Sequence, residues 1–477
     1  MLKKIFYILL IIAVLMAFFA AGLYFWFKSG GMQKYVLENY GKPTIKNDYL
    51  YEIIYDGLGF EQEKHILILF LNNTELRPGG GFIGSYATIR TEKGTPHLLK
   101  VEGTEILDNN ATSYLETVPP KPIKDYLGVD KWFFRDSNWS PDFSVSAIKA
   151  LELYTAEKGV AGEDIDYVIG ITPNVIREIL KITGPMSVGG MEFNADNFIE
   201  KLQWEVEYGY TKQGLSFSDR KKALQDLTRA VLLNFGRDFL KYNVEFIDLA
   251  KEMLKEKQIV IYADDAEIQQ KIVEGGWAGE IQNKDTDFIL WADANLGSLK
   301  TDLMIDRELQ YSITPTGSGK YLAKISMKYT HQGGFDWRTS RYRTYVQLFL
   351  PLGSELLKTE GVMKIEKSNE PGIVDQGIDN DKKWIGAFIA IEPGKVGELA
   401  FEYYLSPKIV KMIEEKNYNL LIQKQIGTEA HKLTLNLDFG TNISAAEPSE
   451  EIENFGDNKY KIITDLRLDK VFSVKLK

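Results

Sequence analysis

The first pattern along the chain is a run of 23 residues, 5–27, that contains no charged side chain. At a rise of about 1.5 Å per residue, this run forms a helix of about 34 Å, which is long enough to cross a bilayer core. Lys3 and Lys4 precede it and favour a cytoplasmic N-terminus. A cleaved signal peptide is the alternative, although its apolar region usually spans only about 7–15 residues. The pattern predicts a cytoplasmic tip and one transmembrane helix over residues 1–28.

The next segments predict a tether and then a domain of strands and helices. Residues 29–63 are interpreted as a juxtamembrane tether. Apolar runs at 66–71 and 167–171 are typical of buried strands, and residues 144–158 show helical spacing. Because strands and helices alternate, we expect an α/β domain with a mixed sheet over residues 64–305.

After residue 305 the apolar positions recur at every second residue. Leu433, Leu435 and Leu437 alternate with polar residues, as half-buried strands require. Further runs of this kind are separated by turn residues, and they predict an all-β sandwich of about eight strands over residues 306–477.

Composition narrows the chemistry available to this fold. The chain has no cysteine and only four histidines, which excludes cysteine nucleophiles, disulfides and cysteine zinc sites. The net charge of −10 opposes association with a nucleic-acid backbone. We therefore expect no nucleic-acid partner.

A first polar cluster follows the apolar run at 66–71. It contains Asn72, Asn73, Glu75 and Arg77, followed by the glycines of 79–81. Ligands of open α/β sheets bind beyond the carboxyl ends of strands, and glycines let backbone N–H groups approach an anion. The alternative is a glycine-rich turn in which Arg77 pairs with Glu75.

A second cluster spans residues 131–143 and combines aromatic with charged side chains. Arg135 could hold a phosphate, Asp136 or Asp142 could bind a hard cation or act as a base, and Asn138 could contact a ligand. The tryptophan and phenylalanine rings could stack on a sugar or pack against a lipid. Alternatively, Asp142 caps the following helix and Arg135 pairs with Asp136.

Four stretches of the chain read NNTELRPGGGFIGSYATI, RDSNWSPDF, DYVIGITPNVIREILKITGPMSV and DANLGSLKTD. These motifs resemble those of an uncharacterised bacterial family, domain of unknown function 4012. The resemblance runs from about residue 64 to the C-terminal strands.

The order of parts is also remotely similar to the LytR-CpsA-Psr family of envelope enzymes. That resemblance implies an α/β domain that binds a polyprenyl pyrophosphate lipid and transfers its glycan to the cell wall. Arg135 and Asp136 resemble that family's Arg-Asp pair. Its magnesium-binding Arg-Ser-Asp-Thr stretch corresponds to Gly-Ser-Tyr-Ala at residues 84–87, which lacks the aspartate.

Two hypotheses for function follow. In the first, a membrane-anchored, extracytoplasmic envelope protein handles a lipid-linked cell-wall polymer. Arg77, Arg135 and Arg90 would neutralise the pyrophosphate, and Glu75, Asp136 or Asp142 would hold Mg²⁺. Arg77, Arg135 and Asp136 are then the expected catalytic residues. In the second hypothesis, the chain is a non-catalytic surface protein that recognises protein or glycan, and the α/β domain is a scaffold.

Overall fold

The chain folds into two compact units. This computed structural model describes residues 34–35, 37–188, 190–204, 241–297, 299–368 and 370–477. Of these described residues, the first unit contains those within 1–73, 79–119 and 130–280, and the second contains those within 74–78, 120–129 and 281–477. Two short segments that are early in the sequence, 74–78 and 120–129, therefore belong to the second unit.

The first unit is built on a mixed five-stranded sheet in the order β3-β2-β1-β4-β7. Its strands are β1 (Lys64–Asn72), β2 (Phe82–Glu92), β3 (Thr95–Gly103), β4 (Tyr167–Ile171) and β7 (Ile259–Ala263). Strand β1 is parallel to β4 and antiparallel to β2. Both apolar runs predicted as strands lie at the centre of this sheet, where neighbours on both sides bury them. A separate hairpin joins β5 (Met186–Val188) and β6 (Met191–Phe193).

The first unit also contains helices. Its described α-helices are Lys42–Ile45, Asp48–Gly57, Thr104–Ala111, Phe143–Ala156, Asn174–Thr183, Phe198–Trp204 and Ala266–Glu274, with a π-helix at Leu37–Gly41 and a 3-10 turn at Phe134–Asp136. Helix Asp48–Gly57 places Leu50, Ile53 and Ile54 in the hydrophobic core. The tether predicted over residues 29–63 is thus folded from residue 37 onward, because its apolar residues share one helical face.

The second unit consists mainly of two β-sheets. Its strands are β8 (Asp287–Asn295), β9 (Ile305–Pro315), β10 (Tyr321–His331), β11 (Tyr342–Pro351), β12 (Glu355–Glu360), β13 (Asp375–Asp379), β14 (Lys382–Ile391), β15 (Val396–Tyr404), β16 (Asn417–Gln423), β17 (Lys432–Asp438), β18 (Ile443–Glu447), β19 (Lys459–Asp465) and β20 (Lys470–Leu476). They form the sheets β12-β15-β10-β9-β17-β19 and β13-β14-β11-β8-β16-β20-β18. Residues from both sheets share one core. Helices Lys121–Leu127 and Pro407–Glu414 and the 3-10 turn Thr301–Met304 complete the unit.

Strand β8 corrects the predicted boundary at residue 305. The sequence pattern predicts this apolar run in the α/β domain, but β8 pairs with β11 and β16 in the second unit. It is buried along its whole length because it is a central strand. A strand covered on both faces lacks the alternating pattern of its neighbours, so it resembled a strand of the preceding domain.

The predicted fold class also needs correction in its first element. Within the part of the chain that the structure describes, no helix is long and apolar enough to cross a membrane. The span predicted at 5–27 lies outside the described residues. The described fold is therefore a mixed α/β unit and a unit of β-sheets.

Candidate functional site

The residues predicted to form one site are divided between the two units. The first unit contains Asn72, Asn73, Arg90, Arg135, Asp136, Asn138 and Asp142, and the second contains Glu75 and Arg77. The chain passes from one unit to the other between residues 73 and 74.

The glycine-rich segment of the first unit packs closely against its own backbone. Gly81 has a φ of +155°, and a Cβ there would lie 2.5 Å from the carbonyl carbon of Asn72. The buried Asn138 side chain donates from Nδ2 to the carbonyl oxygen of Gly81 at 2.6 Å. The carbonyl oxygen of Asn138 accepts from the N–H of Gly79 at 3.1 Å. Asn138 therefore holds the loop that was predicted to bind a ligand.

Two other predicted residues also have local structural contacts. Asp142 accepts a hydrogen bond at Oδ1 from the N–H of Val145 at 3.2 Å, so it caps helix Phe143–Ala156. Arg90 is partly exposed, and its Nη1 lies 3.3 Å from Oε2 of Glu63. A surface pair of this kind contributes little to stability. The capping alternative proposed for Asp142 from the sequence is thus the one that the geometry shows.

Arg77 is buried within the second unit, with 2% of its surface exposed. Its Nη1 donates to the carbonyl oxygen of Asn295 at 2.5 Å and to that of Leu76 at 3.2 Å. Its Nη2 lies 3.7 Å from Oε1 of Glu75, which is also buried. The guanidinium charge is therefore held by groups of the protein itself.

The neighbours of Arg77 belong to a buried ionic network. Arg307 donates from Nε to Oδ2 of Asp293 at 2.8 Å and from Nη2 to Oδ1 of Asp302. Asp302 in turn accepts at Oδ2 from the N–H of Leu76 at 3.0 Å and from Nδ2 of Asn295 at 2.7 Å. Segment 74–78 is thereby joined to the β-sheets of the second unit by hydrogen bonds to charged groups, which are stronger than those between neutral groups.

Arg135 has different surroundings in the first unit. Its Nε lies 3.5 Å from Oδ2 of Asp108 and 3.7 Å from Oδ2 of Asp136. Its side chain is 27% exposed, and the guanidinium carbon lies 5.0 Å from the centre of the Phe133 ring. Arg135 therefore combines buried acidic partners with contact to solvent.

Asp108 and Glu157 form a buried acidic pair that the sequence analysis missed. Both are 1% exposed, and the two carboxyl groups are close enough for each to shift the pKa of the other. Burial raises the pKa of Asp108, and the nearby charge of Glu157 raises it further. Burial also raises the pKa of Glu157, while a hydrogen bond from the N–H of Phe134, 2.7 Å from Oε1, opposes the shift.

The sequence around Asp108 contains a pattern that indicates burial of its side chain. Thr104, Leu107, Asp108 and Ala111 recur at helical spacing, and all four are buried in helix Thr104–Ala111. A carboxylate on an apolar helical face is expected to need a partner. The spacing could have revealed its burial, although it does not identify Glu157.

Three aromatic side chains of the first unit have a cation above the ring, and Arg135 is one of these cations. The cation-to-centroid distances are 4.2 Å for Lys158 over Tyr114, 4.8 Å for Lys149 over Trp132 and 5.0 Å for Arg135 over Phe133. The backbone N–H of Trp132 donates to the carbonyl oxygen of Thr117, and Lys131 Nζ donates to that of Thr112. We call Tyr114, Lys131, Trp132, Phe133, Arg135, Lys149 and Lys158 the aromatic–cation surface. Lys149 also pairs with Glu152.

A magnesium site remains a prediction. Among the residues that the structure describes, no group of three or more histidine, aspartate or glutamate side chains is placed to hold a metal ion. Glu75 lies in the second unit, whereas Asp136 and Asp142 lie in the first.

Comparison with known proteins supports one of the two resemblances. Residues 61–206 match the family described as protein of unknown function (DUF4012). The prediction of this family is confirmed. The match ends before the C-terminal strands, so it is shorter than the predicted extent. The LytR-CpsA-Psr resemblance is not shown by it and stays a prediction.

The other comparisons give only distant likenesses. No curated protein matches the chain. A protein of Legionella pneumophila, provisionally described as nutrient binding, is 9% identical with a TM-score of 0.22 over 36% of this chain and 67% of its own. An M1 zinc metallopeptidase of Deinococcus radiodurans is 10% identical with a TM-score of 0.18 over 36% of this chain and 42% of its own. The chain thus spans less than half of that enzyme's length.

Proposed function

We propose that the first unit binds an anionic glycan polymer at the aromatic–cation surface, and that it acts by binding rather than by transfer. The observation that carries this proposal is the set of three aromatic rings, each with a cation above it, one of which is the partly exposed Arg135. Aromatic rings cover the apolar faces of sugars, while lysine and arginine bind sulfate, phosphate or carboxylate groups.

Because the chain has a net negative charge, it is expected to bind an anionic polymer only at a cluster of cationic side chains. The whole chain carries a net charge of −10, so general electrostatic attraction does not favour an anionic polymer. An anionic ligand is therefore expected to bind only where cations are concentrated. Lys131, Lys149 and Lys158 are the further cations of the aromatic–cation surface.

The contacts of the predicted catalytic residues favour binding over catalysis. Arg77 is buried and donates to two backbone carbonyl groups, and Arg135 lies between the carboxylates of Asp108 and Asp136. A polyprenyl-pyrophosphate-linked cell-wall polymer remains one candidate ligand of this class. A location at the cell membrane remains a prediction from the sequence.

Binding of dextran sulfate to the full chain, measured by isothermal titration calorimetry, tests this proposal. Uncharged dextran controls for the sugar, and polyglutamate controls for charge without sugar. We expect dextran sulfate to bind more tightly than either. The variant Trp132→Ala should weaken binding roughly tenfold, since loss of a central aromatic contact costs more than about 1 kcal/mol.

The matched control is Trp337→Ala in the second unit. Trp337 also has a cation, Arg338, above its ring, at 5.8 Å, but it lies outside the aromatic–cation surface. Its substitution should leave binding unchanged. Equal binding of dextran sulfate and dextran, or equal losses in the two folded variants, would contradict the proposal.

A further inference from the structure

We propose that Asp108 and Glu157 are positioning residues that share one proton, and that loss of this proton weakens anion binding at Arg135. Ligand binding would then strengthen as the pH falls. This inference rests on the proposed function, because it concerns regulation of the same surface.

The first step is the geometry of the pair. Oδ1 and Oδ2 of Asp108 and Oε2 of Glu157 are buried, and none of them accepts a hydrogen bond from a residue that the structure describes. Two adjacent buried carboxylates repel one another, and burial disfavours the charged form of each. A single proton between them removes one charge and supplies the missing hydrogen bond.

The second step links the pair to Arg135. Asp108 comes from helix Thr104–Ala111, and its Oδ2 lies 3.5 Å from Nε of Arg135. Glu157 follows helix Phe143–Ala156, and its Oε1 accepts from the N–H of Phe134, the residue before Arg135. The pair therefore contacts both the side chain of Arg135 and the turn that presents it.

Other charged and titratable groups near the pair interact electrostatically with its two carboxyl groups. Asp136 acts on Asp108 from the turn that carries Arg135. Burial raises the pKa of Tyr86 in strand β2, and the charge of Glu157 adds to this shift. The Tyr86 hydroxyl donates to Oε1 of Glu102 at 2.6 Å. Arg135 thus lies among several acidic groups, so one further negative charge lowers the positive potential at its guanidinium group.

The third step is the effect of the proton on binding. With the proton, the pair carries one negative charge, and without it the pair carries two. The additional charge holds the guanidinium inward and reduces the positive potential that an anion meets. Sulfate esters remain ionised between pH 5 and 9, so dextran sulfate reports on the protein alone.

The experiment measures dextran sulfate binding to the full chain from pH 5 to pH 9. We expect the affinity of the wild-type chain to fall roughly fivefold over this range, from one additional nearby charge. Asp108→Asn is neutral and can donate to Glu157, so it should keep the low-pH affinity throughout. The control Glu163→Gln removes an exposed carboxylate of the same unit and should keep the wild-type profile.

A second readout does not depend on the ligand. Infrared spectra of the wild-type chain near neutral pH should contain the C=O stretch of a buried protonated carboxyl group, and Asp108→Asn should lack it. Absence of that band, or an unchanged pH profile in Asp108→Asn, would overturn the inference. Absence of dextran sulfate binding at every pH, with the band present, would instead count against the proposed function alone.

Discussion

Substitution of Arg77 by alanine should destabilise the chain, because Arg77 supports the second unit from within. Its Nη1 donates to the carbonyl oxygens of Asn295 and Leu76, and the side chain is almost fully buried. A hydrogen bond from a charged donor contributes about 1.5–3 kcal/mol, and removing one partner of a buried pair costs roughly 3–5 kcal/mol. We therefore expect a loss of about 4 kcal/mol in the free energy of unfolding.

Thermal unfolding followed by circular dichroism measures this loss. For a unit of roughly 200 residues, each kcal/mol shifts Tm by about 2–4 °C, so Arg77→Ala should lower it by roughly 8–16 °C. Arg77→Met retains most of the side-chain volume, and a similar decrease in that variant would assign the loss to hydrogen bonds rather than to a cavity. Arg467 is exposed in the same unit, and Arg467→Ala should change Tm little. A wild-type Tm for Arg77→Ala would refute this reasoning and restore Arg77 as a candidate ligand-binding residue.

Two further predictions concern the first unit. Because burial raises the pKa of Asp108 above its ordinary value of 3.8, the folded chain keeps a proton that the unfolded chain loses. The unfolding free energy should therefore fall as the pH rises above about 4, by up to about 1.4 kcal/mol per pH unit until the raised pKa is passed. Urea denaturation at pH 5 and pH 8 should show this decrease in the wild-type chain and a smaller one in Asp108→Asn; equal slopes would contradict it. Gly81→Ala should cost more than about 2 kcal/mol in the same assay, since its Cβ would meet the backbone of Asn72. The control Gly162→Ala, at φ +58° with open space around it, should cost less, and equal costs would show that the close approach is unimportant.

The strands were the most predictable part of the fold. Strand β1 and strand β4 are continuous apolar runs, and β9 and β17 alternate buried and exposed residues. A strand with both faces buried is apolar throughout, and a strand with one face buried alternates apolar and polar residues. The local sequence is therefore enough to predict these strands.

Membership of a unit was much less predictable. Strand β8 and segment 74–78 belong to the second unit through pairing and hydrogen bonds with residues far along the chain. The helix Asp48–Gly57 looked like part of a tether, although its apolar face is buried. Which surface covers an apolar face depends on tertiary packing, which spacing along the sequence does not specify.

The contact between Asp108 and Glu157 also could not be predicted from the spacing of residues along the sequence. Helical spacing indicates that Asp108 and Glu157 lie on buried faces, since Leu107 and Ala111 flank the first and Leu153 and Tyr154 precede the second. Each residue alone looks like a carboxylate that requires a cationic partner, and Arg135 could serve either of them. Only the fold brings the ends of two helices to one arginine, so that two carboxyl groups share it. Because one cation cannot neutralise three nearby carboxyl groups, counting Asp136, a bound proton becomes the simplest way to balance the charge. The pH dependence of this surface therefore follows from the packing of helices rather than from any motif in the sequence.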